Sequence, residues 1–400
     1  MMAEKNKKLL TLLSLYVAQS IPMSFFTTVV PVIMRQQHYS LEAIGLMQLV
    51  KLPWVIKFLW APFVDRTGSS TSGYKRWIFY AEGFYALTIA IIAFIDPAHH
   101  FPVIVVMMVV AVTASATQDI ATDAWAILTL HKEERSLGNS MQSTGSFVGA
   151  MVGGGVLLIV YNQLGWSWLL LGLALFVLLA LIPLYLYKPS AVTRKRPRSK
   201  SVSFKDIGGF FRQEKVWPHI AFLAIFQASL TGIMTMIKPL MIDLDYSAGA
   251  VGLVAGIFGT GMGVLCAMAA GMIMRKLSRK QAAFLFASLN LLPVLFFLFL
   301  HQYGHLMWVM LIGASLLWGA FAMGMVLLFT VAMDQVRHCR EGTDFTLQIV
   351  IVHMGSLLVA VSSGIIADAF TYTGLFFVSL VLALLNMVVV YWRFQGKNDS

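Results

Sequence analysis

Charge is what this 400-residue sequence has least of. Asp, Glu, Lys and Arg make up 12% of it, against about 25% in a soluble domain. Cysteine is nearly absent. Cys266 lies in an apolar run and Cys339 beside a basic turn, so there is neither a disulfide framework nor a metal-ligand spacing. No GxxxxGK[ST] phosphate cradle occurs, which excludes an ATPase built into the chain. HExxH and GxSxG are missing, as are Arg-rich voltage-sensor helices and pore-loop filter sequences. Nothing resembles a cleavable leader: the residues before the first apolar run are few and basic, and that run is long enough to serve as its own signal anchor.

Apolar residues fill the space that charge leaves. They make up 58% of the sequence, with a mean hydropathy of +0.78. A helix crossing the hydrocarbon core needs about 20 residues. Twelve runs meet this: Leu9–Met34, Leu41–Val64, Trp77–Ile95, Phe101–Leu130, Leu137–Tyr161, Trp166–Tyr187, Trp217–Met241, Ala248–Met274, Gln281–Leu300, Leu306–Met333, Thr343–Ala367 and Tyr372–Phe394. The predicted fold class is an all-α membrane protein, with twelve transmembrane helices in two pseudo-symmetric six-helix bundles.

The basic residues orient this layout. With the N-terminus in the cytoplasm, all but four of the 29 Lys and Arg fall on the cytoplasmic side. Arg35 and Lys238 fall outside; Lys51 and Lys57 fall within the membrane. That asymmetry predicts both termini in the cytoplasm, and it accounts for the net charge of +11 without a nucleic-acid partner. The longest polar stretch divides the chain into a bundle over 1–187, a basic cytoplasmic linker over 188–216 and a bundle over 217–400. Within the linker, Ser203–Glu214 reads equally as a short amphipathic helix on anionic lipid and as a solvated loop. The halves echo each other. Gln19 stands twelve residues before Pro31, as Gln227 does before Pro239, and Tyr39-Ser40 with Ile44-Gly45 answers Tyr246-Ser247 with Val251-Gly252. Duplicated halves place one transport site at a midplane interface in many secondary transporters.

Ionisable residues inside spans are costly and mark function. In the second span, Lys51 falls near mid-membrane and is read as an anion ligand or an ion-pair partner; Lys57 lies nearer the cytoplasm, where it could snorkel to water. The fourth span carries Gln118-Asp119-Ile120-Ala121-Thr122-Asp123, with Asp119 and Asp123 neighbours at i,i+4. Two readings stand: a proton-coupling pair, or charge balance against Lys51, Lys57 or Arg66. Glu82 in the third span is a further proton candidate. His353 titrates near neutral pH or simply packs. Gln19, Gln227, Trp54 and Trp125 complete the candidate substrate-binding set, and Asp65, Arg66, Lys75, Arg76, Glu134 and Arg135 the candidate gating set. In that set Asp65-Arg66 is a latch toward Glu133, Glu134 and Arg135. Gly145, Gly149 and Gly153, and also Gly252 and Gly256, have the spacing that lets helices approach closely.

The run Lys57-Phe58-Leu59-Trp60-Ala61-Pro62-Phe63-Val64-Asp65-Arg66, taken with Gln118 to Ala124, resembles the anhydromuropeptide permease branch of the major facilitator superfamily. Asp65, Arg66, Lys75 and Arg76 resemble the superfamily's loop between helices 2 and 3. The resemblance implies alternating access and proton-driven import across a bacterial inner membrane. The expected protein is therefore a monomeric symporter for a bulky anionic solute, with a proton gradient in place of any cofactor, and not an enzyme. An anhydromuropeptide is the first expected substrate. A ferric siderophore is the alternative, with a coenzyme A ester or a membrane-embedded enzyme behind it.

Overall fold

In a computed structural model, residues 2–36, 47–97, 99–187, 205–214 and 216–394 are described, and among them no strand occurs. The linker over 188–204 and the echo at Tyr39-Ser40 and Ile44-Gly45 lie outside the described residues. In chain order the α-helices are α1 (Met2–Ser24), α2 (Val30–Gln36), α3 (Leu52–Ile56), α4 (Ala61–Gly68), α5 (Thr71–Ile92), α6 (Phe101–Thr129), α7 (Arg135–Met151), α8 (Leu157–Leu179) and α9 (Ile182–Leu186). Then come α10 (Lys205–Phe210), α11 (Val216–Ile225), α12 (Ala228–Asp243), α13 (Ala248–Val251), α14 (Gly259–Ile273), α15 (Arg279–Leu300), α16 (Met307–Asp334) and α17 (Glu341–Arg393). Wider π-helical turns at Phe25–Val29, Val152–Val156 and Gly252–Phe258 join several of these end to end.

Eight helical stretches among the described residues are long and apolar enough to cross a membrane. Two of them, Lys132–Leu186 and Glu341–Arg393, run to 55 and 53 residues, more than twice the roughly 20 that one crossing needs. Each is broken by a residue in the left-handed region, Gly165 at φ 71° and Thr371 at φ 61°, and so makes two crossings. With α5 and the interrupted segment over 47–64, the described residues make twelve crossings. The expected single helix over Leu41–Val64 is not found. Its described part consists of α3 and α4, with 3₁₀ turns at Met47–Lys51 and Lys57–Leu59. Proline is the cause. Pro62 supplies no N–H to the turn before it, and its ring excludes the carbonyl four residues back.

The chain forms two compact units. Unit 1 comprises Met1–His131, Val148–Ile207 and Val336–Thr346; unit 2 comprises Lys132–Phe147, Gly208–Gln335 and Leu347–Ser400. The core of unit 1 gathers Phe25, Phe26, Tyr85, Ile89, Met108, Trp166 and Leu170. That of unit 2 gathers Leu230, Ile237, Val294, Phe297, Leu317, Trp318 and Phe376. The opposite faces stay apolar, as lipid requires. On α5, Tyr80, Phe84, Leu87 and Ile91 recur at helical spacing and are exposed, while Ile78, Glu82, Tyr85 and Ile89 point inward.

Close helix approach occurs in unit 1 only at some of the expected glycines. A Cβ at Gly149 would collide with Ser20, and one at Gly153 with the Ile21 carbonyl and Ser24. Gly252 and Gly256 are different: a Cβ there meets nothing within 4 Å. Their four-residue spacing is present without a close helix approach among the described residues of unit 2.

Candidate functional site

The buried centre of unit 1 is an ion-pair cluster built on α6. Residues at i and i+4 share a helix face, so Asp119 and Asp123 point together toward α1 and the break between α3 and α4. Lys57 stands at that break, fully buried, and its Nζ donates to Asp119 Oδ2. Gln19 Nε2 donates to the other oxygen of Asp119 at 2.9 Å. The Tyr16 hydroxyl donates to Asp123 Oδ1 at 2.5 Å. Lys57 Nζ also lies 4.4 Å from the centre of the Trp54 ring, a cation–π contact. One turn away, Trp60 Nε1 donates to Thr117 Oγ1 at 3.1 Å.

Lys57 therefore does not snorkel: it is turned inward and paired. A buried cation is tolerable only with a counter-ion and hydrogen bonds, and Asp119, Gln19 and the Trp54 face supply both. Lys51, by contrast, is exposed on the same segment and joins no described ion pair. The sequence named Lys57, Gln19, Trp54, Asp119 and Asp123 separately, and the fold brings all five together. Tyr16, in sequence an aromatic that could line a cavity, joins them through Asp123, and its i,i+3 spacing from Gln19 puts both on one face of α1.

Other candidates lie elsewhere. Trp125 is buried edge-on against Tyr187, with ring centres 5.3 Å apart. Glu82 is buried on α5. In unit 2, Gln227 Nε2 donates to the Phe321 carbonyl at 2.7 Å, and His353 is half-buried on α17.

The gating set divides between the units. Beyond the end of the apolar run at Val64, the Asp65 carboxylate collects four donors within unit 1. Tyr74 Oη reaches Oδ1 at 2.7 Å and Gly342 N reaches it at 2.9 Å. Thr343 gives Oδ2 its N at 2.7 Å and its Oγ1 at 2.6 Å. Gly342 and Thr343 are in the first turn of α17, so Asp65 caps that helix from a distant part of the chain, where negative charge is favoured. Burial pushes the Asp65 carboxyl up to about 6, against the lowering effect of the bonds from Thr343, Tyr74 and Gly342. Within unit 1 the Asp65 carboxylate is thus taken up by Tyr74, Gly342 and Thr343. Arg135, in unit 2, pairs with Asp334 at 2.8 Å, and Asp334 also binds Arg279 at 2.8 Å. Lys75 Nζ donates to the Tyr187 carbonyl at 2.8 Å and the Tyr185 carbonyl at 3.3 Å, while Arg66 and Arg76 are exposed.

The second end of this network is the linker helix α10. Asp206 binds Arg340 at 2.7 Å, and its carbonyl accepts from Arg337 at 2.7 Å. Arg337 in turn forks onto Asp344.

A twelve-crossing all-helical chain with a broken second helix and a buried Lys–Asp pair has the architecture of a secondary transporter. The Major Facilitator Superfamily profile matches residues 12–347, and the chain belongs to that superfamily. It is a membrane-spanning transporter rather than an enzyme. Its relatives include an uncharacterized protein of Haemophilus influenzae, 23% identical over 95% of this chain and 93% of that one. They also include the anhydromuropeptide permease of Escherichia coli, 26% identical over 70% of this chain. That alignment spans 58% of the permease's length. Among solved structures, a human organic anion transporter superposes with a TM-score of 0.76 at 14% identity, covering 96% of this chain and 99% of that one. The resemblance of Lys57–Arg66 and Gln118–Ala124 to the anhydromuropeptide permease branch agrees with these relatives.

Proposed function

We propose that the protein is a proton-coupled importer of a bulky anionic solute, working as a monomer in a bacterial inner membrane with both termini in the cytoplasm. The observation that carries this reading is Lys57, a buried cation at the break in the second crossing, held by Asp119. Discontinuous helices form the solute sites of many transporters. An anionic group entering there competes with Asp119 for the lysine. Release of Asp119 leaves two carboxylates, Asp119 and Asp123, one turn apart with no cation between them. Like charges at that separation favour uptake of a proton. Solute and proton are then taken up together, which is symport. Lys51, exposed on the same segment, is an outer contact for the anion, and Trp54 offers an apolar face.

The relatives favour an anhydromuropeptide as the solute. The test is uptake into proteoliposomes of muropeptides, ferric siderophores and coenzyme A esters, with and without a pH gradient. The expected result is muropeptide accumulation that requires the gradient and is lost in Lys57→Ala. Accumulation of a siderophore or a coenzyme A ester alone would reassign the solute, and uptake indifferent to pH would remove the coupling.

A further inference from the structure

The Lys57 cluster uses only one flank of α6. At about 100° per residue, Ser115, Asp119 and Asp123 follow one another at i,i+4 along one stripe of α6, and Thr122 and Gln118 lie progressively to one side of it. Against α6 packs α5, which brings Glu82 and Tyr85 one turn apart on its inner face. Tyr85 and Ser115 are buried as well, and neither hydroxyl has a hydrogen-bond partner among the described residues. Glu82 has 0% exposure, and neither of its carboxyl oxygens has a hydrogen-bond partner among the described residues. The Gln118 amide and the Thr122 hydroxyl are also buried without described partners. Buried polar groups are rarely left unsatisfied, so a cluster of them calls for a ligand or a proton.

The charged groups on the elements around Glu82 are all otherwise engaged or absent. On α6, Asp119 is held by Lys57 and Gln19, and Asp123 by Tyr16. On α4, Asp65 is bonded to Tyr74, Gly342 and Thr343, and Arg66 is exposed. On α5 itself, Lys75 is bonded to two carbonyls and Arg76 is exposed. The α8 sequence contains no Asp, Glu, Lys, Arg or His. A carboxylate charge at Glu82 would therefore have no counter-ion and no donor, and burying such a charge is far costlier than burying the neutral acid.

We infer that Glu82 is a proton-binding site of the transporter, distinct from the Lys57–Asp119 cluster and set on α5, the helix packed against α6. A proton adds to one carboxyl oxygen, and no other bond forms or breaks. Its part in transport rests on the proton-coupled reading above; its existence as a site does not.

Infrared difference spectra of the full chain in liposomes, taken between acid and alkaline buffer in H₂O and D₂O, test the site directly. The expected spectrum contains a neutral-carboxyl C=O band, sensitive to D₂O, that disappears in Glu82→Gln and remains in Asp119→Asn. A band unchanged in Glu82→Gln overturns the inference. Should Glu82→Gln fail to fold, Glu82→Asp serves instead, since only the band's owner shifts on shortening. In uptake with an anhydromuropeptide as probe, Glu82→Gln is expected to lose gradient-driven accumulation and to keep solute exchange. Full gradient-driven accumulation in that variant also overturns it. If wild-type uptake ignores a pH gradient or follows sodium, the coupling reading fails, and the infrared band still decides Glu82.

Discussion

Gln19 and Gln227 hold matching places in the two halves of the sequence, yet they do different things. Gln19 donates to a carboxylate at 2.9 Å, and Gln227 to a backbone carbonyl at 2.7 Å. The contrast extends to the two units. Every buried Asp, Glu, Lys or Arg among the described residues belongs to unit 1: Lys8, Lys57, Asp65, Glu82, Asp119, Asp123, Glu341 and Asp344. The buried polar groups of unit 2 are hydroxyls, amides and one imidazole, among them Asn290, Gln348, Asn386 and His219. A two-bundle scaffold has thus concentrated its buried charge in one unit and left the buried polar groups of the other neutral. Neutral groups can be satisfied locally by carbonyls. Charged ones need each other, and this ties α1, the α3–α4 break and α6 into one unit of function.

The sharpest way to break this comparison is Lys57→Ala, which strands Asp119 and Asp123 together. Loss of one partner of a buried pair costs about 3–5 kcal/mol, and uptake should vanish with it. The double variant Lys57→Ala/Asp119→Ala should recover most of the thermal midpoint but none of the uptake. A single variant as stable as wild type would mean that the pair is not what holds the cluster.

Asp65 provides the next largest effect, and it depends on pH. Its carboxyl is raised by burial from the ordinary 3.8 to about 6, so the folded protein holds the proton more tightly than the unfolded chain. The stabilisation is complete below the ordinary value and is lost as pH rises through about 6. The thermal midpoint in detergent should fall across that window in wild type and stay level in Asp65→Asn. An unchanged slope in the variant assigns the titration to another group.

Glycine substitutions compare the units through packing alone. Gly153→Ala pushes a methyl into the Ile21 carbonyl and should cost about 1–3 kcal/mol. Gly256→Ala enters open space and should change stability by less than about 0.5 kcal/mol. Equal losses on thermal unfolding would show that the two stripes are equivalent after all.

The smallest change expected to be measurable lies at the joints. Gly165 and Thr371 share nearly one conformation, φ 71° with ψ −176° and φ 61° with ψ 175°. That region suits glycine and strains a β-branched residue. Thr371→Gly should therefore raise stability by about 1 kcal/mol, read as a higher thermal midpoint; a lower one would mean that the threonine side chain holds the turn.

Hydropathy made the spans legible, because crossing length and apolar composition are local properties. The costly residues were legible too: Lys57, Asp119 and Asp123 stand out in any apolar run. Their pairing was legible only as one option among Lys51, Lys57 and Arg66, since Lys57 and Asp119 are 62 residues apart and depth in a span does not reveal which helix lies opposite. The break after Ile56 was written in Pro53 and Pro62, but apolarity alone read it as one helix. The capping of α17 by Asp65 bridges 277 residues and had no local signature. Glycine spacing marked a smooth face at both Gly149/Gly153 and Gly252/Gly256, and only tertiary structure could show which of the two is covered.

Biogenesis inherits the two left-handed joints. Where a single residue turns one span into the next, neither partner has a tether long enough to finish entering the bilayer while the other is still being synthesised. The segments meeting at Gly165, and those meeting at Thr371, are joined closely enough that each pair is expected to enter as a hairpin. A charged residue placed at either joint would therefore be felt first by the insertion machinery, before the finished transporter had a solute to move.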